Sequence, residues 1–304
     1  MNALGIDLGG TKIEAVVLAA DGSERWRQRI ATPAGSYRGT LDALRSLLDS
    51  ARQAGHAPFS IGIGTPGTLA AGGLMKNCNS ECLNAQPLQS DLQALFGLPL
   101  AIANDANCLA LSEATDGAGA GASVVFAAII GTGTGAGIAV DGRVLGGPNG
   151  LAGEWGHNPL PWSVPGIDPQ PACYCGQRGC IEKLVSGPAV AGDHARVNGI
   201  TLSALQIVEA AALGDAACAA TLERHAHRLA RALASVVNLL DPDVIVLGGG
   251  VSRMAHLYER VPALWGEWVF AGGVREPVRT RLLPSLHGDA SGVRGAAWLG
   301  RTAA

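Results

Sequence analysis

Residues 3–18 read ALGIDLGGTKIEAVVL, and residues 123–140 read SVVFAAIIGTGTGAGIAV. Each stretch is an apolar run, a turn rich in glycine and threonine, and a second apolar run. Short apolar runs bounded by glycine predict buried strands joined in a hairpin. The unit occurring twice predicts two related α/β lobes rather than one sheet.

Around these units strands alternate with helices. A third strand is expected at Arg25–Ala31 after the Asp21-Gly22 turn. Ser36 is placed to cap a helix whose Leu41, Leu44, Leu48 and Ala51 share a face before Gly55 ends it. Strands are expected at Phe59–Gly64 and Leu98–Ala103, and a helix at Asp105–Ala114. Ile138–Val140 returns through Asp141-Gly142 into Arg143–Leu145. Helices follow near 186–198, 203–213 and 215–240, then a parallel strand at Asp243–Leu247, a helix capped by Ser252, and a last helix at Gly292–Leu299.

The 304 residues are 48% hydrophobic and 15% charged, enough apolar content for one large or two ordinary cores. A net charge of −3 without a long basic run disfavours nucleic-acid binding. Neither a signal peptide nor an apolar run of spanning length is visible, so the expectation is a cytoplasmic protein with no membrane partner.

Three glycine clusters suit a nucleotide. GIDLGGTK, residues 5–12, is not a Walker A loop, because Thr11 separates Gly10 from Lys12 and no helical pattern follows. In a hairpin turn, Gly9 and Gly10 would present backbone N–H groups, Thr11 and Lys12 would add donors, and Asp7 could hold a hydrated Mg²⁺. A plain turn needs the glycines but not the Asp and Lys. In IGTGTGAG, residues 130–137, Gly131, Gly133 and Gly135 allow close approach, and the Thr132 and Thr134 hydroxyls suit phosphate oxygens. In LGGGVS, residues 247–252, Gly248, Gly249 and Gly250 follow a buried strand, where a nucleoside can rest on backbone without Cβ obstruction. GIGTPG at 62–67 matches G-x-G-x-x-G, but Pro66 and the following residues give no helix to point at a pyrophosphate, which excludes a Rossmann dehydrogenase.

Polar residues cluster as well. Asn104 and Asp105 stand at a strand end, where helix capping and a general-base role for Asp105 compete evenly. In GEWGH, residues 153–157, one helical turn would set Glu154 and His157 on one side, and Glu182 follows closely after the cysteines. Carboxylates and an imidazole together suit a polyhydroxylated sugar.

CYCGQRGC, residues 173–180, holds three of the seven cysteines, while Cys78, Cys82, Cys108 and Cys218 are scattered. In a reducing compartment the clustering predicts a metal site rather than disulfides. Cys173, Cys175 and Cys180 need a fourth ligand for tetrahedral zinc, with His157 upstream and His194 downstream. His157 is preferred, because a Cys₃His site would pin the Glu154–His157 turn and Glu182 together. With four protein ligands such a zinc is structural.

Taken in order, GIDLGGTK, the NDAN segment, IGTGTGAG, GEWGH, CYCGQRGCIE and LGGG resemble the motifs of the ROK family of sugar kinases and sugar-responsive repressors, over essentially the whole chain. The resemblance implies the actin-like ATPase (ribonuclease H-like) fold, with two α/β lobes around a cleft and ATP phosphates held by the two glycine hairpins. The lobes expected are 1–115 joined by 290–304, and 116–289 carrying the zinc site. It further implies Asp105 as catalytic base, Asn104 as its sugar-binding neighbour, and Glu154, His157 and Glu182 as sugar-hydroxyl ligands. Gly67 and Asn79 fall where the family's small lobe touches substrate. His157 would serve metal and sugar through its two ring nitrogens. ATP, Mg²⁺, a hexose and a homodimeric partner are the implied companions.

GEWGHNPLPW and KNCNSECLNAQPL are similar to ROK-type fructokinases, giving D-fructose as the expected substrate, with N-acetylglucosamine, glucose or mannose as alternatives and a non-catalytic sugar sensor as the rival class. The family's repressors carry an N-terminal helix-turn-helix domain. Here the first strand begins within a few residues of Met1, so an enzyme is expected.

Overall fold

The computed structural model describes residues 1–302 except Pro58 and Arg275. The last two residues of the expected C-terminal segment lie outside the described residues.

In chain order the first elements are β1 (Asn2–Leu8), β2 (Lys12–Leu18), β3 (Glu24–Ala31), α1 (Tyr37–Gln53), β4 (Phe59–Thr65), β5 (Thr68–Leu69), β6 (Met75–Lys76), α2 (Leu88–Phe96), β7 (Leu100–Asn104) and α3 (Asp105–Thr115). There follow β8 (Val124–Ile130), β9 (Thr134–Val140), β10 (Arg143–Val144), α4 (Glu182–Val185), α5 (Gly187–Asn198), α6 (Ala204–Ala212) and α7 (Ala216–Leu240). The chain ends through β11 (Val244–Gly248), α8 (Leu257–Trp268), β12 (Arg281–Pro284) and α9 (Ser291–Gly300).

Two five-stranded sheets result, ordered β3-β2-β1-β4-β7 and β10-β9-β8-β11-β12, the same winding used twice. In the first, β1 pairs antiparallel with β2 and parallel with β4, and β4 runs parallel to β7. In the second, β11 lies parallel between β8 and β12. Strands covered on both faces favour apolar side chains at every position: β11 is a continuous apolar run, while β2 and β4 are buried along nearly their whole length with Glu14, Ser60 and Thr65 as buried polar exceptions. The edge strand β3 instead alternates half-buried and exposed positions.

Contacts divide the chain into one unit of Met1–Gly121, Gly137–Ala152 and Asp289–Ala304, and another of Ala122–Ala136 and Gly153–Gly288. The lobe boundary expected at 115/116 differs from this division. Residues 116–121 stay with the first unit, where the Gly119 N–H donates to the Glu113 carbonyl at 2.9 Å, and 137–152 join it where Gly137 lies on the backbone of Ala106, an added Cβ there meeting the Ala106 carbonyl oxygen at 2.1 Å.

The first unit's core gathers Leu4, Ile6, Leu44, Leu48, Ile61 and Ile63 under α1, whose N-cap is Ser36 accepting from the Gly39 N–H at 3.0 Å. On the other side α9 lies directly on backbone. A Cβ at Gly5 would sit 2.2 Å from the Val293 carbonyl oxygen, and one at Gly62 2.0 Å from that of Ala296. Those glycines let a helix and a sheet touch without side chains between them. The Gly62 of the G-x-G-x-x-G match is therefore a packing position. In the second unit, buried α7 spans 25 residues from its Asp215 cap. Among the described residues no single helix is long and apolar enough to cross a membrane.

Candidate functional site

In the first unit, β1 and β2 meet in a tight turn closed by the Gly9 N–H donating to the Lys12 carbonyl at 3.0 Å. Gly9's donor is thereby spent within the turn, whereas Gly10, Thr11 and Lys12 form an exposed tip. Asp7 stands beneath this tip. Its burial, reinforced by the nearby Asp105 and Glu14 carboxylates and only partly offset by Lys12, pushes its carboxyl up to about 6. Such a group welcomes a cation, which restores its ionised form.

Asn104 ends β7 and caps α3, its side-chain oxygen accepting from the Ala106 N–H at 2.8 Å. The same N–H reaches the Asp105 carboxylate at 2.8 Å. Capping therefore claims Asn104, while Asp105 remains exposed at the strand's C-terminal end with its charge near Asp7. Gly67 is buried against Cys78, whose Sγ would lie 2.4 Å from an added Cβ. Asn79 is exposed two residues beyond Asn77, a non-glycine residue at positive φ.

In the second unit, the turn between β8 and β9 closes through the Gly131 N–H to the Gly133 carbonyl at 2.9 Å. Thr132 and Gly133 form the exposed tip; Gly135 is half-buried. Thr134 is different: it is buried, and its N–H donates to Glu182 Oε2 at 3.1 Å. Its hydroxyl is buried without a hydrogen-bond partner, so the two threonines of this loop are not equivalent. Gly249, at φ +78°, approaches the end of β8, where a Cβ would lie 2.6 Å from the Ile130 carbonyl oxygen. Gly250 is exposed beside it, and Gly248 is buried within β11.

Glu154–His157 forms a 3-10 turn, close to the one-sided arrangement expected from the spacing. Gly156 presses it onto β9, since a Cβ there would meet the Thr134 carbonyl oxygen at 2.0 Å. The ligand atoms of His157, Cys173, Cys175 and Cys180 all lie within 4.8 Å of one another. His157 Nδ1 is 3.6 Å from Cys173 Sγ, and Cys175 Sγ is 3.6 Å from Cys180 Sγ. His194 lies elsewhere, buried with Nδ1 on the Thr221 hydroxyl at 2.9 Å. Burial and the neighbouring thiols push the Cys180 thiol up to about 12, whereas the Gln177 backbone N–H holds the exposed Cys175 thiol below its ordinary value. Three sulfurs and one imidazole nitrogen are the donor set of a closed tetrahedral zinc site, and these residues fit it.

Two residues that local sequence left unassigned belong to this module. Tyr174, between two of the cysteines, puts its hydroxyl 2.9 Å from His157 Nε2. Lys183 Nζ stands 3.6 Å from Glu182 Oε1 and 5.8 Å from the Tyr174 ring centre. The Pro-rich stretch between Trp162 and Cys173 is also anchored. Asp168 is buried, accepting from Arg228 Nε at 2.9 Å and Arg231 Nη1 at 2.7 Å, both on α7.

Residues 3–303 match the ROK family. The chain belongs to the ROK family. It is 37% identical over 300 residues to an N-acetyl-D-glucosamine kinase of Yersinia enterocolitica, covering 97% of this chain and 98% of that one. Its fold is similar to a ROK hexokinase from Thermus thermophilus, with TM-score 0.81 and 31% identity over 99% of this chain and 97% of that one. A ROK glucokinase from Streptomyces griseus, solved with glucose and AMPPNP, gives TM-score 0.78 and 29% identity over 99% and 100%. The fold is that of the actin-like ATPases.

The Yersinia relative is an N-acetyl-D-glucosamine kinase rather than a fructokinase, which favours the alternative given beside the fructose expectation. The two segments behind that expectation do backbone work. In NPLPW, Pro159 bridges to Cys180 and the Leu160 N–H donates to the Gly179 carbonyl at 3.1 Å, which fastens the cysteine turn. In KNCNSECLNAQPL, Asn84 accepts from the Cys78 N–H at 2.9 Å and donates to its carbonyl at 3.1 Å, folding the segment on itself.

Proposed function

We propose that this ROK-family sugar kinase transfers the γ-phosphate of ATP to the 6-hydroxyl of an N-acetylated hexosamine, with N-acetyl-D-glucosamine the preferred substrate. The observation that carries the sugar is the 37% identity to an N-acetyl-D-glucosamine kinase along 97% of the chain. ATP as donor is supported by the glucokinase of the same fold that holds AMPPNP, and by the two exposed glycine tips.

In the first unit, Asp105 accepts the proton of the sugar 6-hydroxyl as its oxygen attacks the γ-phosphorus, giving ADP and the sugar 6-phosphate. Asp7 holds the Mg²⁺ that accompanies ATP, and the N–H groups at the Gly10–Lys12 tip receive phosphate oxygens. In the second unit the Thr132–Gly133 tip does the same, and the exposed glycines after β11 receive the nucleoside. Glu154 and Glu182 accept hydrogen bonds from the sugar hydroxyls, whereas His157, expected to turn its second ring nitrogen to the sugar, has Nε2 on the Tyr174 hydroxyl at 2.9 Å and reaches the sugar through that hydroxyl. Asn104 positions Asp105 through the shared Ala106 N–H. Gly67 and Asn79 line the substrate side of the first unit. Zinc held by His157, Cys173, Cys175 and Cys180 supplies a rigid clasp for the turn that bears His157 and for the residues leading to Glu182.

The test is ADP release from MgATP with N-acetylglucosamine, N-acetylgalactosamine, glucose, mannose and fructose. The highest kcat/KM is expected with N-acetylglucosamine. A higher value with glucose or fructose removes the amino-sugar assignment, and no turnover with any sugar removes the kinase assignment.

A further inference from the structure

Tyr174 is the one exposed aromatic side chain among the metal-cluster residues, at 75% exposure, yet its hydroxyl is tied. It meets His157 Nε2 at 2.9 Å with the rings edge-on, 5.0 Å between centres. Its backbone is held by the cysteine turn, in which the Gly176 N–H donates to the Cys173 carbonyl at 3.1 Å and the Cys173 N–H to the Gln177 carbonyl at 2.9 Å. A side chain rooted in so short a turn is aimed in advance. Glu154 and Glu182 lie close enough to act on its phenol, with burial the larger influence, and Lys183 stands over its ring. Tyr174 thus bonds one of the three side chains assigned to the sugar and lies within electrostatic reach of the other two.

The donor and acceptor balance says what it does there. His157 Nδ1 faces the sulfurs, so a metal held there would take its lone pair and fix the ring proton on Nε2. Nε2–H then donates to the Tyr174 oxygen, which leaves the phenolic O–H to donate outward. Glu154 and Glu182 only accept, and the Lys183 ammonium is drawn to Glu182 at 3.6 Å. Hydroxyls satisfy acceptors readily; an outward donor rewards a group that only accepts.

We infer that Tyr174 is a specificity-determining residue whose hydroxyl donates to the carbonyl oxygen of the substrate's acetamido group. The inference rests on the amino-sugar assignment above. Glucose has a hydroxyl at that place and gains less, because a hydroxyl oxygen is a weaker acceptor than an amide carbonyl and its own proton can turn to the carboxylates instead.

The experiment is Tyr174→Phe in the zinc-loaded protein. Calorimetric Kd values for N-acetylglucosamine and for glucose are measured without nucleotide, zinc content is determined, and kinetics follow. Losing one neutral hydrogen bond should weaken N-acetylglucosamine about 3- to 10-fold. Glucose should change less than about twofold, with zinc content kept. An equal change for both sugars, or none for either, overturns the inference. Wild-type protein preferring glucose overturns the amino-sugar assignment and the inference with it. That outcome is read from the wild type alone and so is distinct from a failure of Tyr174 only.

Discussion

The hairpins β1–β2 and β8–β9 occupy the same place in two sheets of the same winding, and both set a carboxylate beneath a glycine tip. The first takes it from its own strand: Asp7 is two residues before Gly9. The second has Ile129 at the matching strand position and borrows Glu182 from the cysteine module, held by the Thr134 N–H at 3.1 Å. One sheet architecture thus meets one chemical need in two ways. A carboxylate on the strand is preset by the pleat. A carboxylate from a distant segment needs that segment clasped, and the His157–Cys180 cluster supplies the clasp. On the proposal above, the first unit carries the chemistry and the second the positioning.

The largest expected effect tests the chemical half. Asp105→Asn should lower kcat by roughly 10³-fold while the Kd for sugar stays within about threefold. Turnover close to wild type would move the general base elsewhere. Asp7 comes next, and here function and stability should oppose each other. Its carboxyl is raised from 3.8 to about 6, so between those values the folded chain binds more protons than the unfolded one. The penalty of burying this charge is therefore absent below about pH 4 and complete above about pH 6, and stability from this group falls as pH rises through that window. Asp7→Asn should raise stability at pH 7 by about 2 kcal/mol while turnover drops about 100-fold or more. Thermal melts at pH 5 and pH 7 check the sign, since the gain should shrink at the lower pH.

The smallest effect addresses the borrowed carboxylate. Glu182→Ala leaves the buried Thr134 N–H without its acceptor and should raise KM about tenfold for MgATP as well as for sugar. Glu182→Gln keeps an acceptor and should raise KM for sugar while sparing MgATP. If both variants leave MgATP untouched, Glu182 serves the sugar alone and the parallel between the hairpins breaks.

The strands were legible because an all-apolar run bounded by glycine has few other solutions, and α1 because Ser36 caps it as expected. The elements that escaped lack such signals. α2 starts at Pro87 and α8 at His256, neither with a side-chain cap. Ser252, expected to open a helix, instead donates its hydroxyl back to the Gly249 carbonyl at 2.6 Å within a 3-10 turn. Four-residue β12 is a strand through its pairing with β11, not through a pattern of its own.

The candidate site divides along the same line. The three clustered thiols with His157 could be grouped from residue type and spacing, and Asp7 from its place before the hairpin glycines, whereas residue type alone left capping and a general-base role even at Asp105. Tertiary contacts alone separated exposed Thr132 from buried Thr134, tied Asn104 to a cap and placed Tyr174 on His157. Side-chain chemistry and local spacing are written along the chain. Burial and hydrogen-bond partners arise between segments far apart in it, such as Thr134 and Glu182, and exist only once the chain has folded.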